Sequence, residues 1–438
     1  MNITDLEFAR SQMALSLAFH IVFAVVGIGM PVLMVISEWL WLRTKREVYL
    51  DLTKRWGKGT AILFAVGAVS GTVLSFELGL LWPTFMEHAG PIIGMPFSLE
   101  GFAFFTEAIF LGVFLYGWNR IPPLAHWFSG LMVAVSGTMS GVFVVTANSW
   151  MNTPVGFDFV DGKFLNIDPV RAMFNPAALH QVLHMTFAAY MALGFAVAGL
   201  HAFFLLRRPQ SAFHRAAFLI AAWLACVSAP LQILSGDLAA RRVAELQPVK
   251  LAAMEAHYQT QTNAPFIVGG VPDSDTMTVR GAIEIPGALS FLVGNSTDTE
   301  VIGLDQFPRD EWPDVKLVHW SFDLMVACGL AMLAVAGWTA LAAWRKRALP
   351  QGRALLRAWV FCTPLGFIGV EAGWFVTELG RQPWIIYGYM RTVDAVTPMP
   401  GLFWPFLAIT VVYLILSVIV VALLRRQFIE SPDAAIRK

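Results

Sequence analysis

Apolar runs long enough to span a bilayer recur from one end of this chain to the other. A hydrocarbon core about 30 Å thick is crossed by a helix of about 20 apolar residues. Nine such runs are readable, at about 12–42, 60–82, 98–118, 127–149, 180–206, 214–236, 318–344, 356–379 and 401–424. In lipid no water is available to the backbone, so a lone spanning segment must bond its own N–H and C=O groups as a helix. The fold class expected is therefore an all-α integral membrane protein of nine transmembrane helices. Composition agrees: 57% of residues are hydrophobic and 14% are charged, against about 25% charged in soluble domains. The formal net charge is zero, which leaves no bulk electrostatic case for nucleic acid.

Basic residues set the direction of threading, because cytoplasmic loops are enriched in Lys and Arg. Nineteen of the 30 fall on one side. They are Arg43, Lys45, Arg46, Lys54, Arg55 and Lys58 after the first span, Arg120 after the third, and Arg207, Arg208 and Arg215 after the fifth. Arg345, Lys346, Arg347, Arg353 and Arg357 follow the seventh, and Arg425, Arg426, Arg437 and Lys438 the ninth. This predicts an external N-terminus and a cytoplasmic C-terminus, which an odd number of spans satisfies. The chain divides into six helices (1–236), a long external segment (237–317), and three helices with a cytoplasmic tail (318–438). The external segment is far longer than an ordinary connection, and such loops are usually functional or disordered. Its mixed composition predicts a partly folded loop. No internal repeat supports an inverted-repeat transporter. Cys226, Cys328 and Cys362 all fall in apolar runs, so no disulfide is expected, and no CxxCH marks covalent haem. The polar stretch Asn2–Gln12 passes straight into an apolar run, unlike a cleavable signal.

Ionisable side chains at membrane depth are the chemical content of the sequence. A carboxylate at the centre of a lone helix costs roughly 2.5–3.5 kcal/mol to insert, and such residues usually face the bundle interior and serve function. Glu77, Glu100, Glu107, Glu371, Glu378, His20, His180 and His184 qualify. His184 lies about 12 Å along the fifth helix from its outer end, and Met325 about 12 Å along the seventh. An imidazole and a thioether at matched depth are the axial pair of a six-coordinate haem. His180, one turn before His184, could take its place, although it sits in the first turn near water. Each of these histidines could equally be a hydrogen-bonded core residue. Glu107 lies seven residues deeper than Glu100 on the same face. Glu77, near an outer helix end, reads as a solvated cap.

The segment Glu371-Ala-Gly-Trp374-Phe-Val-Thr-Glu378-Leu-Gly380-Arg381-Gln-Pro383-Trp384 is the densest feature. Trp374 and Glu378 share a helix face. Gly380 can end the helix and Pro383 stops its continuation, which holds Arg381 at the outer interface. A guanidinium there suits a haem propionate, or simply snorkels.

These residues resemble subunit I of the cytochrome bd quinol oxidases along essentially the whole chain. The Glu371–Trp384 run is similar to that family's signature. Lys250-Leu-Ala-Ala-Met-Glu255 is similar to its quinol-loop motif, Asn148-Ser-Trp-Met-Asn152 with Pro154 to the end of its fourth helix, and Met325-Val-Ala-Cys-Gly329 to its Met-ligand segment. The short external loop resembles the cyanide-insensitive branch.

The resemblance implies that His184 and Met325 ligate a low-spin haem b. It implies that His20, Glu100 and Glu378 serve two high-spin haems, one haem b and the other haem d or a second haem b. It places Glu107 and Ser140 on a proton route, gives Lys250 and Glu255 a part in quinol binding or deprotonation, and has Arg381 and Trp374 support the haem cluster. Three departures stand out: Glu100 and Glu107 are seven apart where the family pair is eight apart, Ser75 stands where a family Glu is common on the second helix with Glu77 two residues later, and Asp323 stands where a basic residue often precedes the Met ligand by two. The implied activity is quinol oxidation at the outer face with oxygen reduced to water, building a proton gradient without pumping, in the bacterial cytoplasmic (inner) membrane. The implied partners are quinol, oxygen, a second membrane subunit and a small single-helix subunit. A membrane cytochrome b that only carries electrons, or a proton-coupled transporter, are the alternatives from other classes.

Overall fold

The computed structural model describes residues 4–346 and 352–428; of the basic residues used above, Arg347, Arg437 and Lys438 lie outside the described residues. The helices are α1 (Asp5–Thr44), α2 (Glu47–Leu81), α3 (Pro83–Tyr116), α4 (Pro123–Asn152), α5 (Pro169–Met173), α6 (Ala178–Arg207), α7 (Ala212–Leu246), α8 (Pro248–Met254), α9 (Ala288–Gly294), α10 (Val315–Lys346), α11 (Arg353–Cys362), α12 (Leu365–Leu379), α13 (Thr392–Ala395) and α14 (Phe403–Phe428). Among the described residues nine spans are long and apolar enough to cross a membrane, with α11 and α12 together making the eighth.

Three boundaries differ from the sequence reading for physical reasons. α2 begins at Glu47, so Lys54, Arg55 and Lys58 occupy its first turns rather than a loop. Long basic side chains can reach water from a helix that runs past the hydrocarbon edge. α3 begins at Pro83 and carries Pro91 and Pro96 inside it. Prolines that look like barriers in sequence are tolerated in a bundle whose neighbours re-satisfy the freed carbonyls. α7 continues to Leu246, ten residues past its apolar run, and projects beyond the bundle to meet α8 and α9.

α1–α4 pack as one four-helix group and α6, α7, α10 and α11–α12 as a second, joined where α1 and α4 meet α6. α14 lies against α1 and α2. The centre is assembled by small residues. A Cβ at Gly194 would lie 2.8 Å from the Ala225 nitrogen, one at Gly366 would lie 2.3 Å from Ala192 Cα, and one at Gly199 would lie 2.6 Å from the Trp359 carbonyl oxygen. Helices in lipid gain little from burying apolar surface against one another, so this close backbone approach is what holds them.

The short connections, at residues 45–46, 117–122 and 208–211, lie at one end of the bundle. The other end is a loop face carrying α5, α8, α9, α13 and the hairpins 158–165, 266–285 and 384–391. Backbone bonds tie it together: Tyr387 N–H donates to the Met151 carbonyl (3.0 Å) and Thr397 N–H to that of Leu81 (2.9 Å). The Leu402 N–H donates to Asp5 (2.9 Å), joining the last span to the first. All three cysteines are free thiols.

Candidate functional site

Three helix pairs in the half of the bundle nearer the loop face each present one soft or nitrogenous side chain toward a glycine. Between α1 and α2, His20 Nδ1 lies 2.9 Å from Ser70 Oγ, and a Cβ at Gly71 would sit 3.0 Å from the imidazole. Between α6 and α7, His184 Nδ1 lies 3.2 Å from Ser235 Oγ, and a Cβ at Gly236 would sit 3.4 Å from the ring. Between α10 and α12, Met325 Sδ would lie 3.0 Å from a Cβ at Gly373. In both histidines a serine hydroxyl engages Nδ1 and orients the ring. Ligating histidines in proteins are held in this way through the nitrogen that does not bind metal. His20 Nε2 is thereby left for another partner, whereas His184 Nε2 lies 3.1 Å from Gln232 Nε2. His20, His184, Met325, Glu100 and Glu378 are all only partly buried.

α3, α4 and α1 build the second feature. Ser140 Oγ donates to Glu100 Oε1 (3.1 Å), so the structure brings Ser140 to Glu100. Glu107 is buried between Gly27 of α1 and Gly137 of α4. A Cβ at Gly137 would meet both of its carboxyl oxygens at 3.2 Å, and its Oε1 has no hydrogen-bond partner. Pro31, lacking an N–H, leaves the Gly27 carbonyl without its helical donor. The seam around Glu107 therefore holds a free acceptor as well as the carboxyl. Glu77 corrects the sequence reading. It is 4% exposed rather than solvated, and its Oε1 accepts from Gln12 Nε2 (2.8 Å) and Ser16 Oγ (3.0 Å) of α1. Helix-end position alone did not reveal that α1 would lie over it.

The third feature joins α12 to the loop face. Arg381 is buried, not at an open interface, and donates through Nη2 to Glu378 Oε2 (2.7 Å) and through Nη1 to Asn148 Oδ1 (3.4 Å). Glu378 thus has a cationic partner within the protein. Trp374 packs on the Ile21–Ile28 stretch of α1 and on α6. Lys250 is also buried, donating to Asn152 Oδ1 and to Gln247 Oε1. Burial and the neighbouring Arg381 charge push its pKa well below the lysine range. Glu255, just past α8, is 1% exposed with Oε2 unpartnered. Burial, reinforced by Asp323, raises its pKa well above the usual carboxylate range. His319 braces this region, Nδ1 lying 2.8 Å from the Met254 carbonyl and Nε2 3.0 Å from that of Gly269. Sequence reasoning missed Ser70, Ser235, Gln232, Gln247 and His319. Only Gln247, three residues before Lys250, carried a local signal.

Among the described residues, no three His, Cys, Asp or Glu side chains converge as in a protein-held metal ion. Single donors set apart from one another suit a macrocycle that brings its own equatorial donors. Taken together, fold and site define a membrane-spanning oxidoreductase of the respiratory chain. The chain belongs to the cytochrome bd terminal oxidase subunit I family, whose pattern it matches over residues 8–432. It is 37% identical over 437 residues, covering 98% of this chain and 97% of its relative, to the putative cytochrome bd menaquinol oxidase subunit I of Bacillus subtilis. It is 32% identical to the cytochrome bd ubiquinol oxidase subunit 1 of the same organism, covering 98% and 95%. Its fold matches the bd oxidase structure from Geobacillus thermodenitrificans with a TM-score of 0.92 at 37% identity, covering 99% of this chain and 100% of that one. The chain is thus a terminal oxidase subunit of the bacterial cytoplasmic membrane, and the transporter and plain cytochrome b alternatives fall away.

Proposed function

We propose that this subunit carries three haems at His184 and Met325 and at His20, Glu100 and Glu378, and that it couples quinol oxidation at the loop face to oxygen reduction. The observation that carries the reading is the set of orienting serines and facing glycines around His20, His184 and Met325. The serine hydroxyls engage Nδ1 of the two histidines, and a glycine faces each imidazole and the Met325 sulfur. His184 and Met325 would hold a low-spin haem b. His20, Glu100 and Glu378 serve a high-spin haem b and a haem d or second high-spin haem b. When bound, haem supplies electron transfer and oxygen activation, while the protein tunes it through ligands, burial and hydrogen bonds.

The chain's own residues manage protons and charge. Glu255 is the acceptor for a quinol proton: its raised pKa makes the carboxylate a stronger base than an ordinary glutamate, and its free Oε2 leaves a lone pair open. Lys250 serves the quinol side through its charge from behind α8. Glu107 and Ser140 stand on the route by which protons from the cytoplasm reach Glu100. Arg381 and Trp374 hold the haem cluster at the end of α12. The loop face is external, so quinol protons leave outside while those for water come from inside. That separates charge without a pump. Quinol and oxygen are the substrates, and a second membrane subunit and a small single-helix subunit complete the complex. The two relatives are named for menaquinol and for ubiquinol.

Reduced-minus-oxidised spectra of the purified complex test the assignment. His184→Leu and Met325→Leu are each expected to abolish the low-spin b signal and keep the high-spin features. An unchanged six-coordinate spectrum in both would refute the axial pair and turn attention to His180.

A further inference from the structure

The hairpin at 266–285 leaves an apolar face bare beside the outer end of a membrane span. Its strands Phe266–Val268 and Ile283–Ile285 pair antiparallel, with Val268 opposite Ile283. Side chains alternate between the two faces of a strand, so Val268, Ile283 and Ile285 share one face. They are 40%, 69% and 48% exposed. Ile267, on the other face, is buried, and Phe266 packs into the core of the loop and roots the ribbon. Three bare β-branched residues on two short strands are costly in water, and they invite another surface to cover them. Hydrogen bonds fix where that face lies. The Trp320 indole N–H of α10 donates to the Gly270 carbonyl (2.8 Å), and the Gly269 N–H donates to Asp323 Oδ2 (2.6 Å). Trp320 is 40% exposed and lies between Leu317 and Leu324, also exposed, at the outer end of the uncovered apolar stripe of α10. The Lys316 ammonium lies 4.7 Å over its ring. An indole topped by a long basic side chain at the end of a span marks the level where headgroups meet hydrocarbon. The hairpin is thus bonded to α10 at the membrane surface and is not held above it in water.

We propose that the 266–285 hairpin rests its Val268, Ile283 and Ile285 face in the outer leaflet, and that this contact sets the height of Glu255 relative to the lipid. The occupant is phospholipid, because the bare face is bonded to, and continues, an apolar stripe of a membrane-spanning helix. Burial of apolar surface at the headgroup boundary supplies the attraction. His319 carries the link to Glu255. One ring nitrogen lies 2.8 Å from the Met254 carbonyl and the other 3.0 Å from the Gly269 carbonyl. Met254 immediately precedes Glu255, so a single buried imidazole braces the hairpin and the quinol loop against each other. The inference rests on the reading of Glu255 as the acceptor of a quinol proton and deepens it. A quinol whose tail stays in the bilayer meets that base at the level the hairpin sets.

The test reads accessibility in the purified complex, reconstituted in phospholipid nanodiscs. Cys226→Ala removes the half-buried native thiol, and a nitroxide is then placed on Ile283→Cys or, as a water-exposed control, on Asp275→Cys. The label at 283 is expected to be relaxed more by dissolved oxygen than by a water-soluble nickel chelate, and the label at 275 the reverse. Ile285→Cys, on the same face, takes the place of Ile283→Cys should that variant fail to assemble. Relaxation at 283 and 285 mainly by nickel would overturn the proposal by placing the face in water. Shielding from both reagents would overturn it by showing that protein covers the face. Ile283→Asp in nanodiscs is expected to lower kcat/KM severalfold for a long-chain quinol and to leave it unchanged for a short-chain, water-soluble one. Equal loss with both quinols, or no loss with either, would overturn the link to Glu255. Unchanged quinol oxidation in Glu255→Gln is a different result: it refutes the reading of Glu255, while the nitroxide labels still decide the lipid contact.

Discussion

Glu255 and Glu107 both lack a partner for one carboxyl oxygen, yet their settings ask different things of them. Glu255 stands at the loop face with its pKa raised by burial and by Asp323. A base must be deprotonated to accept a proton, so quinol oxidation should fall as pH drops through this raised pKa. The acid limb should therefore lie at higher pH than an ordinary glutamate would give. Glu255→Gln should remove that limb and lower kcat/KM for quinol by about 100-fold or more; a pH–rate profile of both proteins checks it. Glu107 sits between two glycines, with the Gly27 carbonyl released by Pro31 nearby. Glu107→Gln should leave the haem spectrum intact and slow oxygen-driven proton uptake by about 100-fold. Loss of a high-spin haem in that variant would make Glu107 a ligand instead.

Helix contacts obey a different logic, in which small residues and buried pairs decide the geometry. At the end of the bundle opposite the loop face, Glu38 of α1 accepts or shares a proton with His126 of α4 at 2.7 Å, and the other ring nitrogen meets the Phe114 carbonyl at 2.8 Å. Both side chains are essentially buried, and Trp118 lies against the imidazole at a 38° tilt with centroids 3.8 Å apart. Glu38→Ala leaves His126 Nδ1 unmet and should cost about 1–3 kcal/mol, seen as a lower thermal inactivation midpoint with little change in the haem spectrum. Gly199 has no room for a side chain, since a Cβ would meet Thr363 Oγ1 at 2.1 Å. Gly199→Val should force α6 away from α11 and cost at least about 1–3 kcal/mol, measured in the same assay.

At the scale of the whole molecule, the two ends of the bundle are built differently. One carries short basic connections and the other the folded loops. Together with the bias in Lys and Arg, this predicts that the loop face is external. With the native cysteines inside spans, Asp275→Cys in the exposed turn at 274–277 should react with a membrane-impermeant maleimide in intact cells. Asn119→Cys, in a short loop at the other end, should react only after the cells are opened. The reverse pattern would invert the topology and move the quinol site to the cytoplasmic side.

The sequence by itself determined the class of fold, because a run of apolar residues in lipid has only the helix open to it. Depth along a helix is also linear in residue number, so His20, His184, Met325 and Glu107 could be placed by counting alone. Rotation and neighbours are not linear in sequence. Nothing local said that Lys250 would turn its ammonium inward to Asn152, that Arg381 would close on Glu378, or that α1 would cover Glu77. These follow from how helices cross, as where Gly194, Gly199 and Gly366 meet residues more than twenty positions away. Which buried side chains meet, and which are left without a partner, was decided only when those crossings brought distant segments of chain together.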